Sequence, residues 1–161
     1  MSASVLQILW FILLAVLFSG FFFLDGFDFG VGMAVKTLAY NDAERTQIVR
    51  TIGPVWDGNE VWLITAGGAM FASFPYWYAT LFSGYYIILL IILVGLIIRG
   101  VSFEFRSKSS AAHRHIWDNI MAIGSFLVPF FFRIMFISMI KGMPLDANGN
   151  IYGHLFDYIN W

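Results

Sequence analysis

From Val61 to Ile98 the chain carries no Asp, Glu, Lys or Arg. A single straight helix of that length would run well past a hydrocarbon core about 30 Å thick, even tilted by about 20°. Two spans must therefore share the segment. Pro75 marks the break, because it lacks an N–H and pushes Phe74 out of helical backbone. The stretch Pro75-Tyr76-Trp77-Tyr78 is also aromatic-rich, as expected of a turn at a membrane interface. The spacing predicts a second helix over about 51–73 and a third over about 77–98.

The rest of the chain agrees with a membrane setting. Of 161 residues, 60% are hydrophobic and only 12% charged, against about 25% charged in soluble domains. This excludes a disordered chain, a nucleic-acid binder and an ordinary water-soluble enzyme. Val5 to Leu24 contains only Gln7 and Ser19 as polar residues. It reads as a retained first span over about 5–35. A cleaved signal peptide would need a basic start and a small-residue cleavage site, and no Lys or Arg precedes Lys36. A fourth span is predicted over about 117–140, interrupted by Pro129 and Arg133. The polar, Asn/Gly-containing tail, 141–161, reads as extramembrane. With no cysteine, disulfides, zinc-thiolate sites, iron–sulfur clusters and thiol nucleophiles are excluded.

Basic residues set the expected orientation. The connection after the third span holds Arg99, Arg106, Lys108 and Arg114, and the one after the first holds Lys36, Arg45 and Arg50. The turn between spans two and three holds none. The expected fold is an all-α, polytopic transmembrane helix bundle of four spans. It forms a single membrane domain over 1–161, with the N-terminus outside and both basic connections cytoplasmic.

Ionisable residues in a spanning segment cost several kcal/mol and point to function. Two clusters qualify: Asp25 with Asp28 and Asp57 with Glu60. Each pair is three residues apart, on one helix face, and both fall on the cytoplasmic side. Crowded carboxylates in a low-dielectric setting bind protons, and chains of them form relays. The plainer alternative makes these acids helix-end markers paired with Lys36, Arg45 or Arg50. Asp42 and Glu44 read as solvated loop acids. Gly26, Gly30, Gly67 and Gly68 are candidates for close helix packing.

No metal ligand is assigned to this chain. His113, His115 and His154 lie outside the predicted spans, and Met33, Met70, Met121, Met135 and Met139 read as core filling. Arg133 sits deep in the fourth span, toward the outer side. Snorkelling, pairing with a carboxylate of another chain, and contact with a lipid or quinone head group remain open. On the residues alone, a proton-coupled transporter or channel fragment and a purely structural or assembly partner also stay open.

Four motifs carry a family resemblance: Asp25-Gly-Phe-Asp-Phe-Gly-Val-Gly-Met33, Trp56-Asp-Gly-Asn-Glu-Val-Trp-Leu-Ile-Thr-Ala-Gly-Gly-Ala69, Phe103-Glu-Phe-Arg-Ser-Lys108 and Trp117-Asp118. In order and spacing they resemble subunit II of the cytochrome bd-type terminal quinol oxidases. The resemblance implies a bacterial plasma-membrane complex that oxidises quinol and reduces dioxygen to water. It implies b-type and d-type haems (or all b-type) held by subunit I, against which this chain packs. Further implied partners are small single-span subunits, quinone and phospholipid, and no nucleic acid. It also implies a proton route from the cytoplasm, with Asp57 and Asp25 on it. Glu60 departs from the family, where a neutral Gln is frequent, and Arg133 stands where an uncharged residue is expected. The match covers less than half of a typical family chain, so 161 residues are expected to be the N-terminal part of a longer subunit. A fragment, an incomplete gene sequence and a split subunit stay open.

Overall fold

The computed structural model describes residues 4–142 together with Asp146 and Ile151. Six helices account for its regular structure: α1 Val5–Thr37, α2 Asp42–Ile52, α3 Trp56–Ser73, α4 Pro75–Gly84, α5 Tyr86–Lys108 and α6 Arg114–Lys141. Three of them, α1, α5 and α6, are long and apolar enough to cross a membrane.

Local chemistry sets the boundaries. Ser4 opens α1 with a reciprocal cap, its Oγ accepting from the Gln7 N–H at 3.2 Å while Gln7 Oε1 accepts from the Ser4 N–H at 2.9 Å. Asn41 caps α2 by accepting from the Glu44 N–H at 2.9 Å. Gly53 and Pro54 then separate α2 from α3. Phe74, with φ −135° and ψ 63°, ends α3 because Pro75 follows it, and Pro75 takes the first position of α4. Tyr85 stands between α4 and α5 with ψ near 19°. Pro129 is accommodated inside α6.

The first and fourth expected spans correspond to α1 and α6. The middle two need correction. The expected second span, 51–73, begins at Trp56, because Gly53 and Pro54 break the helix and Thr51 and Ile52 belong to α2. The expected third span, 77–98, is divided at Tyr85, and α5 continues through Arg99 to Lys108. Arg99 and Arg106 were expected in a cytoplasmic connection. They lie inside α5 and are buried, 0% and 3% exposed. Their charge did not end the helix because carboxylates from other helices neutralise it there. His154 and most of the 141–161 tail fall outside the described residues.

Helices α5 and α6 form the main pair, and α1 packs on both α3 and α6, with α2 lying against α1. Helices α5 and α6 approach closely at their glycines: a Cβ on Gly124 would stand 2.9 Å from the Gly95 carbonyl oxygen. Gly32 of α1 makes room instead for the side chain of Ser125 of α6, whose Cβ would stand 2.7 Å from a Cβ at position 32. Among the described residues, a Cβ on Gly26, Gly30, Gly67 or Gly68 would meet nothing within 4 Å. Gly26 and Gly30 lie away from the stripe Asp25, Asp28, Gly32 and Val35 that α1 turns inward. The chain is inverted relative to a soluble protein: Val5, Leu6, Phe11, Phe23 and Phe27 are exposed while Asp25, Asp28, Arg99 and Asp118 are buried.

Gly124→Ala is expected to destabilise the chain by about 1–3 kcal/mol, because backbone must move to admit the methyl group. Thermal unfolding in detergent checks this, with Gly68→Ala as the counterpart expected to leave the midpoint unchanged or slightly raised.

Candidate functional site

Helix α5 buries Ile88, Ile92, Gly95, Arg99, Phe103 and Arg106 along one line. Steps of three and four residues keep this line on one helix face. Two arginines thus enter the bundle two turns apart, and each gathers acids from other helices.

Arg99 is fully buried. Its Nη2 donates to Asp25 Oδ1 of α1 at 2.7 Å and to Glu60 Oε1 of α3 at 2.6 Å. The Phe29 ring lies 4.3 Å from the guanidinium carbon, a cation–π contact on the same helix as Asp25. Among the described residues Asp25 Oδ2 accepts no hydrogen bond, and Arg99 Nε and Nη1 donate none. Beside this centre, Asp28 Oδ2 accepts from Asn59 Nδ2 at 2.8 Å, tying α1 to α3 a second time. Asp57 stands apart: it is exposed, in the first turn of α3, and accepts from the Gly58 N–H at 2.8 Å. Three of the four expected acids therefore converge, and the fourth stands at the exposed end of the same helix.

The pairing partner differs from the plainer expectation. None of Lys36, Arg45 and Arg50 pairs with these acids among the described residues; Arg99 does. Sequence reasoning missed Arg99 by counting it as a loop charge. The signal was available: Arg99 and Arg106 are seven residues apart, two helical turns, and both continue the apolar line from Ile88.

Arg106 builds the second cluster. Its Nε donates to Asp118 Oδ1 at 2.5 Å, its Nη2 to Asp42 Oδ1 at 2.8 Å and its Nη1 to Thr46 Oγ1 at 3.0 Å. Arg114 Nη1 donates to Asp42 Oδ2 at 2.6 Å, and Arg45 stands 3.9 Å from Asp118. These charges hold α2 against α5 and α6. Asp42 is thus a bridging acid, where a merely solvated loop acid was expected. The Arg114 hydrogen bond, helped by the charges of Arg106 and Arg114, holds the Asp42 carboxyl below the usual carboxylate range, against a smaller opposing effect of burial.

A cavity of about 380 Å³ lies among the helices, lined by apolar side chains including Phe18, Leu63, Met70, Leu89, Leu96 and Phe136. Leu63 is one turn from Glu60 and Leu96 one turn from Arg99, so the cavity begins near the charged centre. The described residues contain no group of three or more His, Cys, Asp or Glu placed to hold a metal ion. His113 and His115 are exposed at the start of α6, a position that does not fit a haem ligand inside the bundle. Arg133 lies on the exposed face of α6.

Comparison with known proteins gives a consistent result. The family model described as cytochrome bd terminal oxidase subunit II matches residues 6–161. The chain is 55% identical over 153 residues to cytochrome bd ubiquinol oxidase subunit 2 of Bacillus subtilis, covering 94% of this chain and 45% of the relative. It is 42% identical over 162 residues to cytochrome bd-I ubiquinol oxidase subunit 2 of Escherichia coli K12, covering 98% and 43%. It is 40% identical over 144 residues to the probable cytochrome oxidase subunit 2 of Haemophilus influenzae, covering 89% and 38%. The chain thus spans less than half the length of these curated relatives.

Two outcomes are expected of the Arg106 cluster. Arg106→Met leaves Asp118 buried without its main partner and should cost about 3–5 kcal/mol, read as a lowered unfolding midpoint. The second concerns acid. A carboxyl held low in the folded state stabilises above its unfolded value, and that stabilisation is lost as pH falls through about 4 toward the folded value. A spin label on Ile48→Cys, placed in an otherwise cysteine-free chain, should gain mobility over that range. In an Asp42→Asn background this acid-dependent step should disappear.

Proposed function

Because the chain belongs to the cytochrome bd terminal oxidase subunit II family, we propose that it serves a respiratory complex that oxidises quinol and reduces dioxygen to water. Its role there is to pack against the haem-bearing subunit I and to pass protons inward from the cytoplasmic side. The complex is the enzyme, a water-forming, electrogenic quinol:oxygen oxidoreductase; this chain alone is not catalytic. Haems b and d belong to subunit I and supply the redox chemistry there. Small single-span subunits complete the assembly in this reading.

One observation carries the proton role: the acids form a series from exposed to buried. Asp57 is exposed at the start of α3. Glu60 follows one turn on, with its side chain 23% exposed. It shares Arg99 with Asp25, whose side chain is fully buried. A carboxylate at the water boundary can take a proton, and acids within hydrogen-bond reach of a common group can hand it inward. Asp28, bonded to Asn59, flanks this series and completes the proposed proton-pathway set.

The topology follows the same reading. The N-terminus lies outside, and α2 with its basic neighbours lies on the cytoplasmic surface. Helix α3 is the additional crossing, reached from α2 through the Gly53–Pro54 break and followed by α4 at the outer interface. In this reading residues 1–161 form a single membrane domain, the N-terminal part of a longer subunit. Gly26, Gly30, Gly67 and Gly68, open on their outer side, are proposed to receive helices of the rest of the complex. The apolar cavity suits the hydrocarbon chain of a quinone or a phospholipid.

The oxidase reading is tested by purifying the membrane complex through this chain and recording a reduced-minus-oxidised spectrum. Co-purifying b- or d-type haem is expected; its absence favours a proton-coupled transporter or channel instead. For the proton role, Asp57→Asn should slow oxygen consumption by about tenfold or more, equivalent to about 1.4 kcal/mol of barrier, with haem content unchanged. Unaltered turnover in a fully haem-loaded complex would leave Asp57 as a structural residue only.

A further inference from the structure

We propose that Arg99 is the positioning residue of this proton route, holding Asp25 of α1 and Glu60 of α3 together as one proton-exchanging pair. The inference deepens the proton role proposed above and rests on it. A guanidinium Nη2 carries two N–H bonds, and here each goes to a different carboxylate, at 2.7 Å and 2.6 Å. The two acceptor oxygens are thereby at most 5.3 Å apart, two hydrogen-bond lengths, a gap that one water molecule can bridge. The acids come from separate helices, and Arg99 is the group that hydrogen-bonds to both.

Arg99 is itself fixed from several sides. Phe29 covers its guanidinium from α1. On α6, Gly124 makes room for it: a Cβ there would stand 3.2 Å from Arg99 Cβ. Four helices thus determine where its Nη2 sits.

The side chain cannot relay protons, because arginine stays charged in proteins. What it supplies is a constant positive charge between two acids. When the pair carries one proton, the three groups together are neutral. Transfer breaks the O–H bond on Glu60 and forms one on Asp25, and the negative charge moves the opposite way. The sum of charges does not change, so no uncompensated ion is created in the apolar interior at any stage. Asp28, held by Asn59 on the same two helices, is the other acid beside the pair.

The experiment uses the purified oxidase complex containing this chain. Arg99→Met removes the cation, and Arg99→Lys restores a charge with several donors. At full haem content, Arg99→Met should lower turnover at saturating quinol by about tenfold or more with KM unchanged, and Arg99→Lys should recover to within about threefold of the parent. Parental turnover in Arg99→Met, or equal loss in both variants, overturns the proposal. A second measurement leaves Arg99 in place, for the case that Arg99→Met fails to assemble. In redox-difference infrared spectra, the carboxyl band lost in Glu60→Gln should shift in Asp25→Asn. Independent bands overturn the pairing. If Asp57→Asn has no effect while the bands are coupled, entry through Asp57 fails and the pair stands. If Asp57→Asn slows turnover while the bands are independent, only the pairing fails.

Discussion

One buried guanidinium determines how this bundle can be assembled. Arg99 lies in apolar surroundings at 0% exposure, where an uncompensated charge is prohibitively costly. It must find carboxylates, and helix α5 offers none nearby on its own buried line. Asp25 and Glu60 therefore have to arrive from α1 and α3 at one place and one depth. This fixes the register of three helices against each other more tightly than apolar packing does, since aliphatic side chains tolerate sliding and a charge pair does not. As an ion-pair centre it need not be worth much in net stability. Its value lies in specifying a single arrangement.

The bundle keeps two kinds of contact apart. Around Gly95, Gly124 and Gly32, helices meet backbone to side chain with little room, and shape decides the fit. Toward the α2 side, Asp42, Asp118, Arg106, Arg114 and Arg45 decide it by charge. The exposed face of α1 and the open glycines contribute to neither.

Much of this was legible in the sequence, because the bilayer makes hydropathy decisive. Val5 to Leu24 and the run before Lys141 predicted α1 and α6, and Pro75 predicted the end of α3. Asp25, Asp28 and Glu60 stood out because carboxylates are rare in apolar runs, and the structure brings them together. The errors share one physical cause. In a sequence a charge marks water, so Arg99 and Arg106 point to the end of a helix that in the structure runs on to Lys108. Charge marks water only when it is unpaired, and pairing is a property of the folded chain. The two-turn spacing of these arginines was the available clue. The break at Tyr85 had a weaker signal, the Gly84 before it, because a glycine inside an apolar run reads equally well as a helix-packing residue. The open space around Gly26, Gly30, Gly67 and Gly68 could not be read either, because spacing says which residues share a face and not what the face meets.

The α2 cluster also bears on how the chain can vary. Asp42 is bound by two arginines, and Arg106 by two aspartates. Neutralising Arg106 strands the buried Asp118, and reversing any one charge sets like charges side by side. Among sequences that keep this fold, positions 42, 106, 114 and 118 should therefore drift as a set or not at all. The exposed apolar positions of α1 can meanwhile interchange freely among Leu, Ile, Val and Phe. The connection between two spans, ordinarily where a membrane protein varies most, is here expected to be among its less variable parts.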